Sequence, residues 1–178
     1  MYFRLISKLI LIIALAIIQV SFVSALPVWL RELNLIVIFL IFSLEWSGGY
    51  RTAWWFLLLG LIFDLYFSLH FGFFIIFWPL IFLLTLFLSK NFFTNRSLYS
   101  FFGLTFFATT FYYFIYNAAF YLAGFFSGNR IMLFLFVKNF WLRFADGLIL
   151  NLLAVVIIFY LTNILSDRLK PVFIIKEH

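Results

Sequence analysis

Four stretches of this chain carry no Asp, Glu, Lys or Arg: Leu9 to Leu30, Leu65 to Ser89, Ser97 to Asn129 and Gly147 to Ser166. Each meets the length of roughly 20 residues that a helix needs to cross a bilayer. Hydrophobic residues make up 67% of the chain and charged residues 10%, against about 45–50% and about 25% in soluble domains. The chain therefore reads as an integral membrane protein of the all-α class, a single membrane domain over residues 1–178. The longest polar connection, Lys90 to Tyr99, is too short for a soluble domain, so function is expected within the bilayer or at its edge. The 30 Phe residues are a composition bias, and the absence of Cys excludes thiol chemistry, cysteine-held metal and disulfides.

Breaks at charges, Gly and Pro predict six spans, near 5–26, 33–47, 52–68, 71–89, 98–125 and 145–165. The first resembles a secretory signal, with Arg4 and Lys8 before the apolar run and Val23-Ser24-Ala25 as a small-residue site. An uncleaved span is favoured, because the run from Leu9 to Ala25 exceeds the usual signal core. With the N-terminus inside, the cytoplasmic face collects Arg4, Lys8, Arg51, Lys90, Arg96, Arg168, Lys170 and Lys176. The other face receives Arg31, Arg130, Lys138 and Arg143, so eight cations against four support an N-in, C-in bundle. The net charge of +6 is thus a topology signal and an attraction to anionic lipid. No basic stripe suggests nucleic acid.

Asp64 is the anomaly. It lies in GLIFDLYFSLHFG, Gly60 to Gly72, about 18 Å up the third span at 1.5 Å per residue. A carboxylate in hydrocarbon costs roughly 2.5–3.5 kcal/mol on insertion scales unless a partner or water receives it. Arg143, Asp146 and His70 fall near the same level, and Arg143 can pair with Asp146 at i, i+3; Arg143 is also the expected partner of Asp64. Glu45 ends the second span near the cytoplasm, with Arg51 beyond the Ser47-Gly48-Gly49-Tyr50 turn as its expected partner. Intramembrane ionisable groups suggest a solute or proton site. Salt bridges and helix caps that fix packing account better for residues this close to span ends.

Small and polar residues mark the expected contact faces. Leu57, Gly60, Leu61, Asp64 and Ser68 form one on the third span; Thr105, Thr109, Tyr112, Tyr116 and Asn117 form a stripe on the fifth; Gly147, Asn151 and Ala154 share a face of the sixth. Trp29, Trp46, Trp54, Trp55 and Trp141 fall near span ends, as interfacial belts require. Gly124 and Gly128 match a G-x-x-x-G pattern but lie where a turn is expected. The segment Arg130 to Ala145 is open to three readings: an interfacial helix, a re-entrant piece or an early start of the last span. An amphipathic lead-in along the outer interface is the simplest. No nucleophile-and-base set, metal-ligand set or phosphate loop is found, and Glu45 and Asp64 lie at different depths, so no enzyme, cofactor or metal is expected.

The pattern G-x₃-D-x₇-G over Gly60, Asp64 and Gly72, followed by an apolar helix ending in Lys90, resembles the core of the MreD family of rod shape-determining membrane proteins. The C-terminal LRFADGLILNLLAVVIIFYLTNILSDRLKP, with Asn151 early in it, is similar to that family's last span. The resemblance implies a non-enzymatic, multi-pass inner-membrane component of the bacterial elongation machinery for peptidoglycan synthesis. Its implied partners are MreC, a single-span protein with a periplasmic domain, together with the MreB filament, RodA and a penicillin-binding protein. Gly60, Asp64, Gly72, Glu45, Arg143, Asp146 and Asn151 would then be structural or partner contacts. The six-span arrangement also resembles the S component of energy-coupling-factor transporters, which implies the alternative of a carrier binding a small solute such as a vitamin.

Overall fold

A computed structural model describes residues 2–47, 52–66, 72–95, 97–126 and 130–173, with side chains described except at 2–5, 45–47, 120, 123–126, 130–139 and 165–173. The described chain is all-helical. Helix α1, Tyr2–Ile17, continues through a wide turn at Ile18–Phe22 and a tight one at Val23–Ala25. Then come α2 (Leu35–Ser47), α3 (Ala53–Tyr66), α4 (Phe73–Asn91), α5 (Leu98–Phe126) and α6 (Arg130–Phe173). Four segments are long and apolar enough to cross a membrane: Ile6–Ala25, Phe73–Asn91, Leu98–Ala119 and Phe140–Ile164.

α2 and α3 are apolar but short, at 13 and 14 residues. At 1.5 Å per residue they reach only about 20 Å, against a hydrocarbon core of about 30 Å. In a bilayer a helix this short leaves at least one end within the apolar layer, where terminal N–H and C=O groups that meet no water must find partners in the protein. That requirement governs where the polar residues stand.

α3 packs chiefly on α4, and α5 on α6, with α2 enclosed by α4, α5 and α6. Ile36, Val37, Leu40 and Ile41 of α2 are buried almost completely, against Phe56 and Leu59 of α3 and Phe77, Ile81 and Phe82 of α4. Aromatic rings fill much of this core: Phe56 stacks on Phe82 with centroids 5.0 Å apart, and Phe77 meets Tyr112 of α5 edge-on at 5.6 Å. On α6 the buried positions Gly147, Asn151 and Val155 alternate with the exposed Ile149, Leu153 and Ile157, so one face meets protein and the other suits lipid. Trp29, Trp54 and Trp141 are exposed, and Lys8 lies 5.9 Å over the ring of half-buried Trp55, tying α1 to α3.

Two expectations change. Arg130 to Ala145 continues the last span as one helix of 44 residues, with no break before Asp146, so the early-start reading replaces the interfacial lead-in. The buried face of α3 is Phe56, Leu59, Gly60, Phe63 and Asp64, while Leu61 is exposed and Leu57 half-buried. In a helix apolar all round, Gly60 and Asp64 mark the line of contact but not which flanking apolar residues share it. Ser68, His70 and the 48–51 turn lie outside the described residues.

Glycine matters where backbones touch. A Cβ on Gly60 would overlap the Phe74 carbonyl oxygen and stand 2.8 Å from Ile75 Cα, whereas one on Gly103 would press only on the Phe93 ring. Gly60→Ala is therefore expected to lower stability by roughly 1–3 kcal/mol, because backbone must move, while Gly103→Ala costs less. Thermal unfolding of the two variants in detergent, side by side with wild type, checks this ordering.

Candidate functional site

At the end of the bundle where α1 finishes, α2 and α4 begin and α3 ends, side chains from one helix complete the first turn of another. The carboxylate of Asp64, on α3, accepts the backbone N–H of Phe74 at Oδ1 and that of Ile75 at Oδ2, both at 2.9 Å. These are first-turn donors of α4, which has no capping hydrogen bond from its own N-cap, Gly72. Gly72 holds φ +100°, a left-handed conformation that suits glycine. Gly60, one turn before Asp64, is the gap that lets Phe74 and Ile75 come close enough to be capped. Negative charge at a helix N-terminus is stabilised by the aligned peptide dipoles. The buried carboxylate thus has two strong donors, and no ion pair to it is found among the described residues.

The N-terminus of α2 is held in a similar way. Asn34 Oδ1 accepts the N–H groups of Ile36 at 3.1 Å and Val37 at 3.2 Å, as an N-cap should. The N–H of Asn34 donates to Asn151 Oδ1 on α6 at 2.8 Å, and Asn151 Nδ2 donates to Thr109 Oγ1 on α5 at 3.3 Å. Gln19, in the wide turn after α1, donates to the Leu33 carbonyl at 3.1 Å and accepts the Leu35 N–H at 2.8 Å. Asn151 is fully buried and joins three helices. A Cβ on Gly147 would overlap the Tyr113 hydroxyl, so that glycine sets how closely α5 and α6 approach.

Glu32 takes the role expected of Asp64. Its Oε2 accepts the Tyr113 hydroxyl at 2.9 Å and its Oε1 lies 3.7 Å from Arg143 Nε. Arg143 therefore pairs with Glu32, and neither Asp64 nor the exposed Asp146 shares its charge among the described residues. The expected convergence of Asp64, Arg143 and Asp146 does not form: the Asp64 oxygens accept backbone N–H groups of α4, and Arg143 lies against Glu32. The Glu45 side chain, Arg51 and His70 lie outside the described residues. Among the described residues no three His, Asp or Glu side chains gather as a metal site.

A cavity of about 300 Å³ opens among these capped ends, lined by Gln19, Asn34, Phe63, Phe74, Trp78, Tyr112 and Tyr116, with Arg31 at its edge. Trp78 stacks on Tyr112 at 5.7 Å, and Tyr112 on Tyr116 at 5.9 Å. Tyr112 and Tyr116 stood out in the sequence as a stripe. Trp78, Gln19 and Glu32 did not: Trp78 sits in an unbroken apolar run, and the partners of the other two are distant in the chain or are backbone atoms.

Comparison with protein-family models, with curated proteins and with solved structures finds no match to this chain.

Removing the Asp64 carboxylate leaves two buried N–H groups unpaired, at about 1–3 kcal/mol each. Asp64→Ala is expected to destabilise by roughly 2–6 kcal/mol, and Asp64→Asn by less, since one amide oxygen can still accept. Arg143→Gln is expected to change stability by under about 1 kcal/mol, because its pair with Glu32 is largely exposed on the arginine side. Unfolding midpoints, together with hydrogen exchange at the Phe74 and Ile75 amides, separate these outcomes.

Proposed function

We propose that this chain is a non-enzymatic, multi-pass scaffold of the bacterial cell membrane, MreD-like in its role in cell elongation, with an MreC-like single-span protein as its direct partner. MreB, RodA and a penicillin-binding protein would be its wider assembly. The observation that carries this reading is the use to which the Gly60/Asp64/Gly72 pattern is put. Both Asp64 oxygens cap α4, Gly60 admits the α4 backbone and Gly72 supplies the left-handed residue before it. The described part of the motif behind the resemblance joins two helices, which is what a scaffold needs. The exposed apolar faces of α1 and α6 offer surface to lipid or to a partner helix, where association rests on close packing.

A second reading, a substrate-binding carrier similar to an S component, is favoured by the cavity between the capped helix ends. The two readings separate by partner. The tagged chain, co-expressed in mild detergent with an MreC-like protein, is expected to recover it, and Leu153→Trp on the exposed face of α6 to weaken recovery if that face is used. Recovery of an ATPase module in place of an MreC-like protein would instead favour the carrier.

A further inference from the structure

We infer that the cavity between the capped helix ends is a water-filled vestibule, open to the outer face, that carries solvent to the middle of the bilayer and stops there. This concerns solvent and holds under either reading of function above. Depth comes from Asn34, which lines the cavity. Its N–H donates to Asn151, and Asn151 to Thr109; these two stand about 16 Å along the apolar segments Phe140–Ile164 and Leu98–Ala119 at 1.5 Å per residue. A hydrocarbon core is about 30 Å thick, so α2 starts near its centre. The other capped start lies nearer the outer face: Phe73 meets Tyr116 at 6.4 Å, about two turns beyond Thr109 on α5. Exposed Ser24, Arg31 and Tyr66 mark the mouth of the cavity, and buried Asn34, Ile36 and Trp78 its floor.

Two observations argue for water over a dry void or a lipid tail. The first is backbone. The chain from Leu26 to Asn34 is not helical, yet it ends at mid-depth. Irregular backbone at that depth is tolerated where it is buried in protein or lines a water-filled cavity, and Arg31 and Asn34 of this stretch line the cavity. The second is a polar side chain. Asn34 Oδ1 accepts the Ile36 and Val37 N–H groups, whereas its Nδ2 makes no hydrogen bond among the described residues, on a residue only 5% exposed. Against a lipid tail that amide stays unpaired; water satisfies it, with Gln19 and Ser24 as further polar neighbours. A volume of about 300 Å³ is ample for a chain of waters, each needing at least roughly 10–15 Å³. Below the floor the path closes. Val37, Leu40 and Ile41 of α2 and Phe77, Ile81 and Phe82 of α4 are buried almost completely in one cluster. The vestibule is therefore blind, a half-channel that solvent enters from one side.

The chain has no Cys, so an introduced thiol is its only one, and thiol labelling tests the inference. Val20→Cys and Ile36→Cys stand on the lining, and Leu153→Cys on the exposed face of α6 at similar depth. Each full-length variant, expressed in spheroplasts, is treated from outside with membrane-impermeant sulfonatoethyl methanethiosulfonate. The thiolate attacks the reagent's sulfenyl sulfur, methanesulfinate leaves and a mixed disulfide remains. Because the thiolate forms in water and not in lipid, both lining cysteines are expected to react at least about 100-fold faster than Leu153→Cys. Adding Ser24→Phe, which fills the mouth, should remove the reaction at Ile36→Cys, with thermal unfolding confirming that the protein stays folded. Val20 is half-buried, so its variant does not depend on the packing around Ile36. Lining cysteines that react as slowly as Leu153→Cys in folded protein would overturn the inference, because the cavity is then dry or holds a lipid tail. Reaction of Ile36→Cys in inside-out vesicles alone would also overturn it, by placing the mouth at the cytoplasmic face. No partner enters the readout, so failure here leaves recovery of an MreC-like protein or of an ATPase module as a separate result.

Discussion

The carboxylate of Asp64 completes the first turn of α4 from outside that helix, and the arrangement around it follows from this contact. A helix end in hydrocarbon has donors that water cannot reach. Asp64 meets two of them with charge-assisted bonds, and the α4 dipole in turn stabilises the charge. A residue that would be costly alone in lipid therefore becomes a joint. The joint requires the α3 and α4 backbones to touch, which Gly60 permits, and requires α4 to start from a left-handed residue, which Gly72 supplies.

The same problem arises at α2 and receives a parallel solution. Asn34 caps its own helix, Gln19 bridges to it from the end of α1, and Asn151 reaches across from α6 while binding Thr109 on α5. Asn34 and Gln19 thus take up the donors where the short α2 starts, and Asp64 of the short α3 those where the longer α4 starts. These caps gather at one end of the bundle. The cavity lies among them. In the orientation that the cationic residues favour, this end faces outward.

Much of this was legible in the sequence. Long charge-free runs specified the spans, and Gly60, Asp64, Gly72, Asn151 and Thr109 stood out because small or polar residues are rare in such runs. What was hidden is physical in origin. Arg143 reads as the partner of Asp64 because side-chain charge is written in the sequence, whereas the backbone N–H groups that bind it belong to every residue except proline. Glu32 and Tyr113, 81 positions apart, carry no local pattern that would pair them. Spacing alone puts Leu57 and Leu61 on the Asp64 face of α3, because a helix apolar on all sides gives no hydrophobic asymmetry to orient them. The run from Arg130 to Ala145 mixes polar and apolar residues as an interfacial helix does, yet nothing in it breaks a helix, and it remains joined to the last span.

Gly60 and Asp64 act as one device that docks the start of α4. A double-mutant cycle on unfolding free energy, with Gly60→Ala, Asp64→Asn and the two combined, measures it most directly. If the two residues serve one contact, the double variant should lose at least ~1 kcal/mol less than the two single losses added, a coupling within the range seen for residues that share a contact. Additive losses, within about 0.5 kcal/mol, would contradict the account and return Asp64 to the status of a buried charge whose purpose lies elsewhere.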